Sequence, residues 1–191
     1  MSNSGIYIEV DQADLKRVTK KLKDMEKAPR HLRNAINRTV TEAMRRIKAG
    51  RTQGYTIKSG RFNQDIKTQR ATASHLDATI KASGRPPTLK NNFKTSAPKK
   101  GAKADVTKTG LKSLRTDGGG AAFILKGGRA AGLIAQRTSK ARFPLRVLYG
   151  NSVPKMVEKI WEGERGGQGD LTEAIRQRLM EEISAEIAKI M

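Results

Sequence analysis

Two stripes of apolar residues at helical spacing lie toward opposite ends of this chain. Between them the apolar positions come in short runs broken by glycine and proline. Leu32, Ile36, Val40, Ala43 and Ile47 recur every three or four residues, which is one face of an α-helix. Leu171, Ile175, Leu179, Ile183, Ile187 and Ile190 repeat the pattern near the other end. The strands expected between them do not alternate regularly with helices. That order predicts an α+β domain: a small antiparallel β-sheet, long N-terminal helices and a long C-terminal helix. The 191 residues fit a single domain, 1-191.

Local signals place the elements. Ile6, Tyr7, Ile8 and Val10 read as a short strand. Asp11 then caps a helix whose apolar side is Leu15, Val18, Leu22 and Met25, and the Ala28-Pro29 step breaks it. Gly50 and Gly54 are expected to end the next helix. Ser59 is placed to cap one turn containing Phe62 and Ile66. Leu76, Ala78, Ile80 and Ala82 alternate as a strand, stopped by Gly84-Arg85-Pro86-Pro87. Residues 94–120 read as a flexible basic loop or long hairpin tip, with a weak strand near Ala104 to Thr107. Two strands, 121–126 and 132–138, follow across Gly127-Gly128, and a third covers 143–149 with Phe143, Leu145, Val147 and Tyr149 on one face. Ser152 resembles an N-cap, with Pro154 in the first turn of a helix. Gly163 to Gly169 form a flexible joint, and Asp170 with Glu173 opens the terminal helix, 170–190. A stripe spaced by fours drifts around the helix and sweeps about 160° from Leu171 to Ile187. That width predicts burial against two surfaces, a neighbouring subunit being one candidate.

Charge narrows the functional classes. The chain has 39 Lys and Arg against 18 Asp and Glu, a formal charge of +21. Residues 1–154 hold 33 basic and 10 acidic residues, whereas 155–191 hold 6 and 8. An excess of that size calls for an acidic counterpart: nucleic acid, an acidic protein surface or an anionic membrane. No apolar run is long enough to span a membrane, and no signal peptide is expected at the N-terminus. With no cysteine and only His31 and His75, thiolate and His-built metal sites are disfavoured.

Catalytic patterns find little support. Gly127 and Gly132 have phosphate-loop spacing, but Leu133 and Ile134 stand where Lys and Ser/Thr are needed. His75 and Asp77 would share a strand face without a nucleophile beside them. Glu181, Glu182 and Glu186 read as a solvated helix face. Most of the aromatic residues fall at apolar positions and are assigned to the core. No base-reading motif is present, so nucleic-acid contact, if made, would be non-specific phosphate neutralisation. Within the flexible loop the residues suited to it are Lys99, Lys100, Lys103, Lys108, Lys112 and Arg115. A non-specific basic nucleic-acid-binding protein is the second functional reading.

Three ordered segments carry a resemblance. They are Ala35-Ile36-Asn37-Arg38-Thr39, then Leu76 to Phe93 with Ser83-Gly84-Arg85-Pro86-Pro87-Thr88-Leu89, then Arg137 to Pro154 with Arg142-Phe143-Pro144-Leu145 and Ser152-Val153-Pro154. In this combination the chain resembles the minor tail protein Z family of lambda-like tailed phages and prophages, over roughly Ala28 to Ile160. The strand at Ile6 to Val10 and the glycine joint depart from that pattern. The resemblance implies a non-enzymatic virion protein of tail completion or head–tail connection, at the head-proximal end of the tail. It further implies a homo-oligomeric ring (six copies being one closure), contacts with other tail and neck proteins, non-specific contact with DNA in the lumen, no membrane and no cofactor. The interface residues expected on this reading are Arg85, Pro86, Leu89, Phe93, Arg137, Pro144, Ser152 and Pro154, with Leu179 and Ile183 of the terminal stripe. The competing reading is intramolecular: the prolines shape turns, and Leu89 and Phe93 fill the core.

Overall fold

The computed structural model describes residues 4–8, by their backbone, together with 28–115 and 120–189. The helix expected from Asp11 to Met25 lies outside the described residues, as do Ile190 and most of the triple glycine at 118–120. Five helices and nine short strands are present among the described residues: β1 (Ser4–Ile8), α1 (Ala28–Gly54), α2 (Ser59–Gln64), β2 (Ile66–Gln69), β3 (Ala78–Ala82), α3 (Leu89–Asn92), β4 (Lys94–Ser96), β5 (Lys103–Asp105), β6 (Lys112–Ser113), β7 (Phe123–Ile124), β8 (Ile134–Arg137), β9 (Leu145–Val147), α4 (Val153–Trp161) and α5 (Leu171–Ile187). The class is α+β. In place of one small sheet there are three, each of three antiparallel strands, ordered β1-β3-β2, β4-β5-β6 and β7-β8-β9.

α1 forms because its apolar side chains fall on one side at intervals of three and four. Leu32, Ala35, Ile36, Thr39, Val40, Ala43 and Ile47 are all buried. Pro29 sits in the first turn, where a missing N–H costs nothing. The buried Thr39 hydroxyl donates to Ala35 O, 3.0 Å away. Gly50 does not end the helix as expected: α1 continues through it to Gly54. Both glycines are buried, and a Cβ on Gly50 would lie 2.5 Å from Ile160 Cγ2 of α4. They are notches that let neighbouring chain approach the helix.

α5 lies along α1 in the opposite direction. Residue pairs in contact run from His31 with Glu186, through Arg38 with Glu182, to Gly50 with Gly166 just before α5 begins. Leu171, Ile175, Leu179 and Ile183 face the common core. Asp170 caps α5, its carboxylate accepting from Thr172 N–H at 2.7 Å. α4 packs on α1 and lies beside β1 and β3, and its Val153, Met156, Val157 and Ile160 are buried. Pro154 occupies its first turn and Ser152 the N-cap position, although the Ser152 side chain makes no capping bond.

Residues 94–120, expected as a loop or long hairpin tip with a weak strand near Ala104 to Thr107, contain the β4-β5-β6 sheet; β5 overlaps that strand and is buried at Ala104 and Asp105. This sheet is tied to the rest of the chain by Ala102 N–H donating to Ala122 O at 2.6 Å and Thr56 N–H donating to Val106 O at 3.1 Å. Ser59 is the first residue of α2 rather than its cap, which is Lys58, and Ile66 belongs to β2. The glycine joint before α5 is closely packed, with Gly166 buried against the backbone of Gly50.

Candidate assembly surface and basic face

The two segments with the most distinctive proline pattern meet. Gly150 N–H donates to Pro87 O at 2.9 Å, Thr88 and Tyr149 form an antiparallel bridge, and Leu89 N–H donates to Leu148 O at 3.4 Å. The turn after β3 is thereby fastened to the segment after β9. Pro87, Leu89 and Phe93 point inward and are buried, while Arg85 and Pro86 remain exposed. Gly150 allows the junction to close, because a Cβ there would overlap the Phe93 ring. Gly150→Ala is therefore expected to destabilise by about 1–2 kcal/mol through overpacking, measured as a lower urea midpoint.

A buried carboxylate supports the same turn. Asp65, just before β2, lies 2.9 Å from the Arg61 guanidinium, outside hydrogen-bond alignment. Burial pushes its carboxyl above the usual aspartate range, opposed by Arg61. Asp65 O accepts from Ser83 N–H at 2.8 Å. Gly84 has φ +149, and a Cβ there would overlap Asp65 Oδ2. Only glycine combines that conformation with that approach.

The sequence-predicted interface residues separate into two sets. Arg85, Pro86, Arg137 and Pro144 are exposed and Ser152 is partly so. Leu89, Phe93 and Pro154 are buried within the chain. Leu179 and Ile183, 6% and 5% exposed, are also buried in this chain's own core, so the terminal stripe is covered intramolecularly at these positions. Among the described residues the stripe packs against α1 together with the core around α4.

The six basic loop residues do not form one face. Lys103 pairs with Ser96 and Ser113, and Lys112 pairs with Ala104. Adjacent register positions point to opposite faces of a sheet, so Lys103 and Lys112 diverge. Lys99 and Lys100 sit in the β4–β5 turn, Lys108 in the β5–β6 turn, and Arg115 bridges Ala121.

Two features were not anticipated. Glu182 and Glu186, expected on a solvated face, are buried, Glu186 to 2% exposure. Glu186 accepts from Lys189 Nζ at 2.6 Å and from Arg38 Nη1 at 2.7 Å, and lies 2.7 Å from His31 Nδ1. Lys189, then His31 and Arg38, hold its carboxyl down at about 2 against the opposing effect of burial. Glu182 pairs with Arg38 and Arg178. The signal for this was their place at the next helical intervals of the apolar stripe. Second, β9 covers only Leu145–Val147, and the aromatics beside it, Phe143 and Tyr149, are 64% and 56% exposed. They do not fill the core as expected.

His75 and Asp77 precede β3 and are exposed, so they share no strand face. Among the described residues no group of three His, Cys, Asp or Glu could hold a metal ion, and no helix is long and apolar enough to cross a membrane. Comparison with protein-family models, with curated proteins and with solved structures finds no match to this chain.

Proposed function

We propose that this chain is a structural subunit of a long-tailed phage or prophage virion, acting in tail completion or head–tail connection as one member of a homo-oligomeric ring. The observation that carries this reading is the junction of the Gly84 to Phe93 turn with the Arg142 to Pro154 segment. These are the segments in which the chain resembles the tail protein Z family, and they are fastened to each other by backbone hydrogen bonds. Arg85 and Pro86 beside the junction, and Pro144 farther along the second segment, are exposed to a neighbour. A ring forms when two unlike faces meet and the rotation closes. The uneven charge supplies two unlike regions, a basic 1–154 and a slightly acidic 155–191. In such a ring the subunit would touch other tail and neck proteins and, through its lysines and arginines, passing DNA without sequence preference. It carries no catalytic step in this reading.

The test is electron microscopy of assembled tails with this protein labelled. Label at the head-proximal end is the expected result. Label at the distal tip, or tails that lack the protein, would overturn the placement.

A further inference from the structure

We propose that the β7-β8-β9 sheet is a binding platform for single-stranded nucleic acid. The inference stands apart from the assembly reading and rests on four features of that sheet.

The first is the charge. No acidic residue occurs from 118 to 157, a stretch that contains the whole sheet. Lys126, Arg129, Arg137, Lys140, Arg142 and Arg146 all lie on the sheet or its turns, and all are exposed. Among the described residues none of the six takes part in an ion pair, unlike Arg38, Arg45, Arg61 and Arg178 elsewhere. Their charge remains available to phosphates.

The second is aromatic exposure. Four large hydrophobic residues are exposed among those described, and two of them, Phe143 and Tyr149, bracket β9. Burial of such rings normally stabilises a fold, so rings left in water at both ends of one strand are placed for a ligand. An aromatic face offers any unpaired base a stacking partner, which a base inside a duplex cannot use. This distinguishes a single strand from duplex DNA as the occupant.

The third is pre-organisation. Arg142 lies 5.7 Å from the Phe143 ring centroid and Arg137 lies 5.8 Å from that of Phe123. Each pair sets a cation beside a ring, so phosphate and base would be met by neighbouring groups.

The fourth is the sheet register. Phe123 pairs with Ala135, Ala135 with Val147, and Arg137 with Leu145. Cross-strand partners share a face, so Phe123, Ala135, Arg137, Leu145 and Val147 lie on one side of the sheet. Apart from Ala135, every residue on that side is half-buried or exposed. The result is a weakly apolar floor with a basic rim, matching a chain of bases along a chain of phosphates. An acidic protein would match the rim but has no need of two exposed rings.

The platform is tested by fluorescence anisotropy with a labelled oligothymidylate of about 15 nucleotides, a length within known single-strand site sizes. The full chain is titrated against it at several salt concentrations, beside a duplex of equal length. Binding at micromolar or lower Kd, weakening steeply with salt and tighter for the single strand, is expected. The Phe143→Ala/Tyr149→Ala double variant should lose at least tenfold in affinity. Arg137→Ala/Arg142→Ala should weaken binding and flatten the salt slope, whereas Arg146, whose register partner Gln136 puts it on the opposite face of the sheet, should matter less. Lys99→Ala/Lys100→Ala, in the other basic sheet's turn, should retain binding within about threefold. All these side chains are exposed, and unchanged thermal melts will verify that the variants fold. No binding to the single strand, equal or tighter binding to duplex, or full affinity in the aromatic double variant would each overturn the proposal. Capture of an acidic protein through this face without single-strand binding would overturn it as well.

Discussion

Gly166→Ala is expected to lower the stability of this protein by about 2–5 kcal/mol. Two independent costs combine. Gly166 has φ +95, a conformation that side-chain-bearing residues rarely adopt and that costs about 1–3 kcal/mol. Its added Cβ would also lie 2.7 Å from both Cα and O of Gly50. Those are backbone atoms near the C-terminal end of α1, so no side chain can swing aside. Either the loop lifts off the helix or α1 bends, and α5 begins only five residues later at Leu171. The expected measurement is a urea midpoint well below that of the parent, with an unchanged slope if the transition remains two-state. Gly128→Ala is the control: its φ is +78 but nothing lies within 4 Å of the added Cβ, so only the conformational cost should appear. Equal losses in the two variants would refute the packing part of the account.

Glu186→Gln should cost about 2 kcal/mol at pH 7, and the loss should disappear in acid. The Glu186 carboxyl titrates at about 2 in the folded chain, below the ordinary value of 4.5. The unfolded chain therefore takes up this proton first as pH falls. The contribution of the charged form is fully present above pH 4.5 and is lost as pH falls toward 2. Its partners Arg38 and Lys189 are half-exposed and His31 partly so, which is why the figure stays below the full linkage value. Glu42 is also held at about 2, by Arg45 and then Arg46, but it titrates alike in both proteins and cancels in their difference. Denaturant curves at pH 7 and pH 2.5 would read the effect. A gap between parent and variant that stayed constant across that range would remove the linkage argument. The functional weight of Glu186 is mechanical, because it clamps the last turn of α5 to the first turns of α1.

Much of the fold was legible in the sequence because it depends on local spacing. The α1 stripe from Leu32 to Ile47 is buried at each position expected, since a 3.6-residue period leaves an apolar side with only one place to go. The alternation of Ala78, Ile80 and Ala82 marked β3, the central strand of its sheet, for the same reason at a period of two. Pro154 and Asp170 announced helix starts because first-turn chemistry is set within four residues.

The candidate sites were less legible. Residues 94–120 looked like a loop because their strands are two or three residues long, too short for any period to show. The terminal stripe gave its own apolar residues correctly but not its coverage. Whether Leu179 and Ile183 meet another subunit or α1 is a fact about α1. Glu182 and Glu186 read as solvated because carboxylates usually are, and Arg38, the cation that pairs with both beside the local Arg178 and Lys189, stands well over a hundred residues away in the chain. Phe143 and Tyr149 carry the reverse error.

What the sequence alone determined is the two long apolar helices, the strand β3, the helix starts at Pro154 and Asp170, the position of the charge and the absence of cysteine. The tertiary structure alone decided which faces are covered, the division into three sheets, the Gly50–Gly166 approach, and the exposure of two aromatics on a basic sheet. The physical reason is range. Hydrophobic period, capping and proline geometry act over a few neighbouring residues, whereas burial and ion pairing are settled by whichever distant segment the folded chain brings alongside.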